Sequence, residues 1–373
     1  MYSDFLALVK SRYMNSHAEG SNLRVLPFFV PLGELKIGWD VLKGGREMSF
    51  LVKFAQVVSK GLPLWTILVA GLAYLYPAYF KGYGPYLTGM LGFVMLSMGL
   101  TMSLSDFKLV FTRPKGIFLA VVGRYIMMPL IAFVLVKAFD IPTSIAMGII
   151  LIACCPSGTS SNVMTFIAKG DAPLSVAATT INTLAAPILT PIMFLWLADS
   201  TIPVNGMALV LDIIKIVVAP VLLGIVIRSL APKFVDQAMP VLPAAGAIIV
   251  VAIVGYIVAA TGARLASVAA LVFAVVFVQN LLGYVAGYLS STVARLPELQ
   301  RRAVTFEIGI ENAALAMSLA LVHLDPMAAV PGAVFGAVEI VTGSLLAGYW
   351  SRKPVEEEDS FHGLVKEVEV SEA

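Results

Sequence analysis

Two stretches of this 373-residue chain place polar residues and helix breakers where a bilayer-spanning helix would be uniformly apolar. The first is Pro156-Ser157-Gly158-Thr159-Ser160-Ser161-Asn162, and the second is Glu307-Ile308-Gly309-Ile310-Glu311-Asn312. Hydrocarbon offers no hydrogen bonds, so an unpaired amide there costs several kcal/mol. Irregular backbone survives at that depth only against other protein or along a wet cavity. Each interruption therefore marks a place where something other than lipid meets the chain.

The setting of the two stretches is a membrane. Hydrophobic residues make up 59% of the chain and charged residues 13%. With a mean hydropathy of +0.91, this is the composition of a polytopic membrane protein, and it excludes soluble enzymes and nucleic-acid binders. We read ten spans, at 62–80, 86–104, 116–138, 143–168, 172–198, 206–229, 241–261, 265–291, 300–323 and 328–350. The loops after even-numbered spans are basic, with Lys108, Arg113, Lys115, Lys169, Arg228, Lys233, Arg295, Arg301 and Arg302. The opposite side offers only Lys81, Lys137 and Arg264. Positive charge is retained in the cytoplasm, so both termini are expected there, in a multi-pass protein of the inner (plasma) membrane.

Ten spans divide into five and five, and the odd count inverts the second half relative to the first. Residues 48–198 form the first expected repeat, 199–351 the inverted second, and 352–373 a cytoplasmic tail. The interruptions fall in the fourth and ninth spans, which are equivalent positions of the two repeats. Matched broken helices are the sequence pointer to the binding site of a secondary transporter. Residues 1–47 differ in kind, lacking an apolar run long enough to span, and translation is expected to start at Met48. Cys154 and Cys155, adjacent in an apolar run, read as packing residues rather than a disulfide.

The polar side chains of the interruptions are hard ligands. Ser161 and Asn162 supply a hydroxyl and an amide carbonyl, and Ser175 and Thr179 lie four apart on one face of the next helix. Glu307 brings a carboxylate, which is expensive inside a membrane and functional there by default. Hydroxyls, carbonyls and a single carboxylate suit a small cation.

The run Cys155-Pro156-Ser157-Gly158-Thr159-Ser160-Ser161-Asn162-Val163-Met164-Thr165, with Gly99-Leu100-Thr101 and Glu307-Ile308-Gly309 followed by Asn312, resembles the bile acid:sodium symporter family. The resemblance extends through Val330-Pro331-Gly332-Ala333 and Gly343-Ser344-Leu345-Leu346-Ala347. It implies an all-α membrane fold of ten helices, with core and panel domains and two broken helices crossing at mid-membrane. It implies sodium at Ser161, Asn162, Ser175, Thr179 and Glu307, and substrate near Thr159 and Asn312. It further implies uptake of a small organic anion by alternating access, with sodium as coupling ion and no other cofactor.

Three residues depart from the family pattern. Glutamines that help hold a second sodium in the family are replaced here by Arg124 and Glu311, flanking the site that Ile308 and Ile310 complete. A guanidinium repels sodium, so the expectation is an Arg124–Glu311 pair in place of the second ion. Glu339 stands where some relatives have a histidine near the substrate, and its charge disfavours an anion there unless it is protonated or paired. A proton-coupled exchanger working through Glu307, Glu311 or Glu339 is the alternative transporter, separable by sodium dependence at fixed pH. No His-Glu-x-x-His or paired membrane aspartates are present to suggest an intramembrane enzyme.

Overall fold

The computed structural model describes residues 62–102, 113–198, 205–239 and 241–353. The leader 1–47, the start at Met48, and the tail beyond Lys353 lie outside these residues. Among the described residues the only regular structure is helix, apart from one antiparallel bridge between Ser157 and Glu311. Six stretches are long and apolar enough to cross a membrane unaided: Pro114–Ala138, Ala172–Leu197, Gly206–Leu230, Ala244–Thr261, Arg264–Val293 and Pro326–Ser351.

Proline decides where several helices start, stop or deform. The chain opens with α1 (Leu62–Leu75), α2 (Pro77–Lys81) and α3 (Leu87–Thr101). The expected first span, 62–80, is split at Tyr76, because Pro77 has no amide to continue α1 and instead takes the first position of α2. Next come α4 (Pro114–Ala138), α5 (Thr143–Cys154), α6 (Ser160–Ile167) and α7 (Ala172–Leu197). The sixth span is α8 (Gly206–Ile213) and α9 (Ala219–Leu230) joined by a π-helical turn at Ile214–Val218. Pro220 cannot donate to the carbonyl one turn back, and the ladder widens there to accommodate it. A short α10 (Pro232–Ala238) leads to α11 (Leu242–Thr261), α12 (Ala263–Val293), α13 (Glu298–Gly309), α14 (Ala313–His323) and α15 (Val330–Ser351).

The fourth and ninth expected spans are each two half-helices, α5 with α6 and α13 with α14. Pro156 cannot donate a backbone hydrogen bond, and α5 ends two residues before it. On the other side, Asn312 caps α14, its Oδ1 accepting from the Leu315 amide at 3.0 Å.

Large apolar side chains cover the outside, with Ile67, Leu75, Trp196 and Phe118 each more than 65% exposed. A belt of this kind is stable against lipid and not against water. Inside, small residues let helices close on one another. A Cβ added at Gly99 of α3 would lie 2.2 Å from the Val221 carbonyl oxygen of α9, and one at Gly224 would lie 2.6 Å from that of Leu96.

At the far end of α6, Arg302 is buried rather than displayed in a loop as the charge pattern suggests. Its Nη1 donates to Ala168 O at 2.8 Å and to Trp350 O at 3.3 Å, closing the end of α6. Nearby, Asp171 caps α7 by accepting from the Leu174 amide at 3.1 Å and pairs with Arg113. Burial pushes the Asp171 carboxyl up from its ordinary pKa, against the pull of the Arg113 guanidinium.

The α3–α9 contact yields a controlled test. Gly99→Ala must force α9 away and is expected to destabilise by about 1–3 kcal/mol. Gly89→Ala, on the same helix with nothing within 4 Å of the added carbon, should leave the melting temperature in detergent unchanged or raise it slightly, since alanine is the better helix former.

Candidate functional site: the crossing of two broken helices

The two interruptions meet as extended backbone. The Asn312 amide donates to Pro156 O at 2.9 Å, and the Gly158 amide to Ile310 O at 3.4 Å. A Cβ at Gly158 would sit 2.5 Å from Glu311 O, so only glycine permits this approach. The crossing gathers the C-terminal ends of α5 and α13 and the N-terminal ends of α6 and α14. Carbonyls from the first pair and amides from the second face one another in the protein interior.

Arg124, at the middle of α4 and fully buried, takes the carbonyl side. Its Nε and Nη2 donate to Cys155 O at 3.0 and 2.7 Å. Its Nη1 donates to Ile308 O at 2.9 Å, Ile310 O at 3.2 Å and Glu307 O at 3.3 Å. Nη2 also pairs with Glu311 Oε2. The structure thus brings Arg124, Ile308, Ile310 and Glu311 together around one guanidinium. Helix C-termini carry partial negative charge and attract cations, and this cation is covalently attached. Asn280 of α12 completes the set, its Nδ2 donating to Gly309 O at 2.9 Å.

On the other side of Glu307 lies a cluster of side-chain oxygens. Glu307 Oε1 accepts from Ser161 Oγ at 2.5 Å, Ser175 Oγ at 2.6 Å and Thr179 Oγ1 at 2.9 Å. Asn162 Oδ1 lies 2.9 Å from Ser175 Oγ and 3.1 Å from Thr179 Oγ1. All five residues that the resemblance assigned to sodium are therefore linked in one hydrogen-bonded network. Each hydroxyl has one proton, and Ser175 and Thr179 each face two acceptors, Glu307 Oε1 and Asn162 Oδ1. Four neutral side-chain oxygens and one carboxylate thus gather in one place, a set of hard donors whose single formal charge matches a monovalent cation.

Two members of the cluster were missed. Ser157 Oγ donates to Glu307 Oε2 at 2.7 Å and accepts from Asn182 Nδ2 at 3.1 Å. The signal was present, since Ser175, Thr179 and Asn182 repeat at four and seven residues along one face of α7.

The three residues expected near substrate lie on the amide side. Thr159 is the partly exposed N-cap residue of α6. Glu339 of α15 accepts the Glu311 amide at 2.8 Å and the Ser160 hydroxyl at 3.4 Å. Asn312 spends its carbonyl oxygen on capping α14, and its Nδ2 reaches only Met95 Sδ at 3.9 Å.

The family model described as "Sodium Bile acid symporter family" matches residues 88–268. The chain is 37% identical over 306 residues to the "Uncharacterized sodium-dependent transporter YocS" of Bacillus subtilis strain 168, covering 82% of this chain and 95% of that one. The chain belongs to the sodium bile acid symporter family. The plant relatives include the chloroplastic "Probable sodium/metabolite cotransporter BASS1" of Arabidopsis thaliana, 33% identical over 299 residues, with 80% of this chain and 75% of that one covered. Another is the chloroplastic "Probable sodium/metabolite cotransporter BASS2" of Oryza sativa subsp. japonica, at 29% over 319 residues, covering 84% and 76%. A member of this symporter family is a multi-pass membrane transporter and not an enzyme.

The buried Arg124–Glu311 pair sets an order among variants. Removing one partner strands a charge in the interior and should cost about 3–5 kcal/mol, whereas removing both leaves two neutral amides. Arg124→Gln alone, which strands the Glu311 carboxylate, is expected to melt well below the double variant in detergent. A double variant less stable than Arg124→Gln would show that the pair's charges do not compensate one another.

Proposed function

We propose that the protein is a sodium-coupled symporter of a small organic anion, such as a monocarboxylate or a pantoate-like or bile-acid-like acid. Sodium lies among Ser161, Asn162, Ser175, Thr179 and Glu307. The observation that carries this reading is the convergence of the Ser161, Ser175 and Thr179 hydroxyls, with the Asn162 amide oxygen behind them, on the buried Glu307 carboxylate. A monovalent cation there converts competing lone pairs into ligands, and Glu307 becomes a neutralised charge.

Coupling follows from which elements the ligands belong to. Ser161 and Asn162 belong to α6, Ser175 and Thr179 to α7, and Glu307 to α13. An ion held by all three fixes the two crossing segments together and shapes the solute site beside Thr159, Asn312 and Glu339. Each ligand thereby favours the conformation that binds the other, and the effect is reciprocal. In this reading the ten expected spans form two inverted five-helix repeats, arranged as core and panel domains. One domain rocks past the crossing to expose it alternately to each side. Both termini are cytoplasmic and the membrane is the plasma membrane.

The same reading sets the stoichiometry. The crossing has two places for a cation, the Glu307 cluster and the carbonyl side, and the Arg124 guanidinium fills the second. One sodium ion then accompanies each solute.

Uptake into proteoliposomes tests both statements. Wild-type transport should require sodium at fixed pH with a Hill coefficient of about one, and Glu307→Ala should abolish sodium-dependent transport while still inserting. Unchanged sodium dependence in that variant would remove the cation from this site. Uptake driven by a proton gradient without sodium would replace the symport reading with exchange.

A further inference from the structure

The sodium cluster of the symport reading, on which this inference rests, engages only one oxygen of Glu307. The Ser161, Ser175 and Thr179 hydroxyls all converge on Oε1. Oε2 is held by a separate chain of two hydrogen bonds. Asn182 Nδ2 donates to Ser157 Oγ at 3.1 Å, and Ser157 Oγ donates to Glu307 Oε2 at 2.7 Å. All three residues are fully buried. Proton counting fixes the direction of this relay. A carboxylate only accepts, so the single Ser157 proton goes to Glu307, and Ser157 must receive its other hydrogen bond from the N–H side of the amide.

The amide that starts the relay carries a cost. Asn182 Oδ1 is buried with no hydrogen-bond partner among the described residues, and an orphaned buried acceptor destabilises where an apolar side chain would not. Packing does not ask for it, since Ala178 and Ala186, one turn to either side on α7, are equally buried and apolar. Nor does the attachment of α7 to α4, because the Tyr125 hydroxyl donates to the Asn182 main-chain oxygen at 2.9 Å and needs no side chain there. What the side chain alone supplies is the N–H aimed at Ser157.

Ser157 gives the relay its reach. It is the residue of the first interruption that pairs with Glu311 in the antiparallel bridge. The Asn312 amide to Pro156 O and the Gly158 amide to Ile310 O lie on either side of it. The five proposed sodium ligands belong to α6, α7 and α13, and Ser157 belongs to none of these helices. Its hydroxyl therefore ties the extended segment of the crossing to the carboxylate that the ion shares.

We propose that Ser157 and Asn182 are positioning residues of the sodium site, which set its affinity without touching the ion. Ser157 holds Glu307 Oε2, so that Oε1 stays among the hydroxyls of α6 and α7, and Asn182 acts through Ser157 by orienting its proton. Outer partners of a metal-binding carboxylate fix its direction, and losing one typically weakens binding about 10- to 100-fold.

Titration of the purified protein with sodium tests this, read as the rise in melting temperature and as equilibrium binding of radioactive sodium. Asn182→Ala and Ser157→Ala should each weaken sodium at least about tenfold, with the number of ions at saturation unchanged. Both residues act through one oxygen, so the double variant should lose about as much as the worse single variant, not the product of the two losses. A purely structural role would lower the melting temperature in sodium-free buffer and leave sodium affinity alone. Unchanged affinity in either variant therefore overturns the proposal, as do losses that multiply in the double variant. Should Ser157→Ala fail to fold, Asn182→Ala decides, since the Tyr125 contact and the Ser157 hydroxyl both remain. Sodium binding lost in Glu307→Gln but unchanged in Asn182→Ala would overturn this proposal and leave the symport reading standing. A wild type that binds no sodium refutes both.

Discussion

Two helices that stop in mid-membrane leave carbonyl groups that neither lipid nor a continuing helix can satisfy, and the Arg124 guanidinium takes most of them. It reaches Cys155 O from one broken helix and Glu307 O, Ile308 O and Ile310 O from the other, while pairing with Glu311. Without that cation, the crossing would expose the negative ends of two helix dipoles to a low-dielectric interior. With it, the extended segments can pair through Ser157 and Glu311, and Gly158 allows the backbones to touch. The rest of the site is built on this junction. Glu307 points away from the guanidinium into the hydroxyl cluster although its own carbonyl oxygen is one of the guanidinium's acceptors.

The crossing is consequently polarised. Carbonyls converge on one side and meet a resident cation, and on the other the Glu311 amide meets a resident carboxyl group, Glu339. In the proposed symport a diffusible ion and a diffusible solute complete what these two fixed groups do not. That division bears directly on coupling. The Arg124–Glu311 pair joins the two crossing segments through the protein's own charges, and in the proposed symport the oxygens around Glu307 give sodium its own contribution. Whatever binds sodium and solute must then differ between inward- and outward-facing states by the energy that each ligand adds.

Much of this was legible in the sequence because membranes punish exceptions. A carboxylate or guanidinium in a hydrophobic span is rare enough that Glu307, Glu311, Glu339 and Arg124 single themselves out, and the structure brings all four to one place. The helical repeat put Ser175 and Thr179 on one face, and they meet Glu307. Asn182, one turn further, lies on the same face, but in a sequence it is not distinguishable from an amide that bonds within its own helix. Ser157 lay inside the first interruption, but nothing in its spacing distinguishes a ligand of Glu307 from a backbone cap. Arg302 illustrates the opposite error. A basic residue near a span end reads as a solvated loop charge, and only the folded arrangement brings Ala168 O and Trp350 O to it. The break at Tyr76 and the π turn at Ile214–Val218 follow from single prolines, whose local effect a hydropathy window averages away.

The central claim is that one sodium ion binds at the Glu307 cluster because Arg124 already serves as the second cation of the crossing. Equilibrium binding of radioactive sodium to the purified protein counts the ions directly. The account requires saturation at about one ion per chain, lost in Glu307→Gln. Two ions per chain, or one that survives Glu307→Gln, would contradict it.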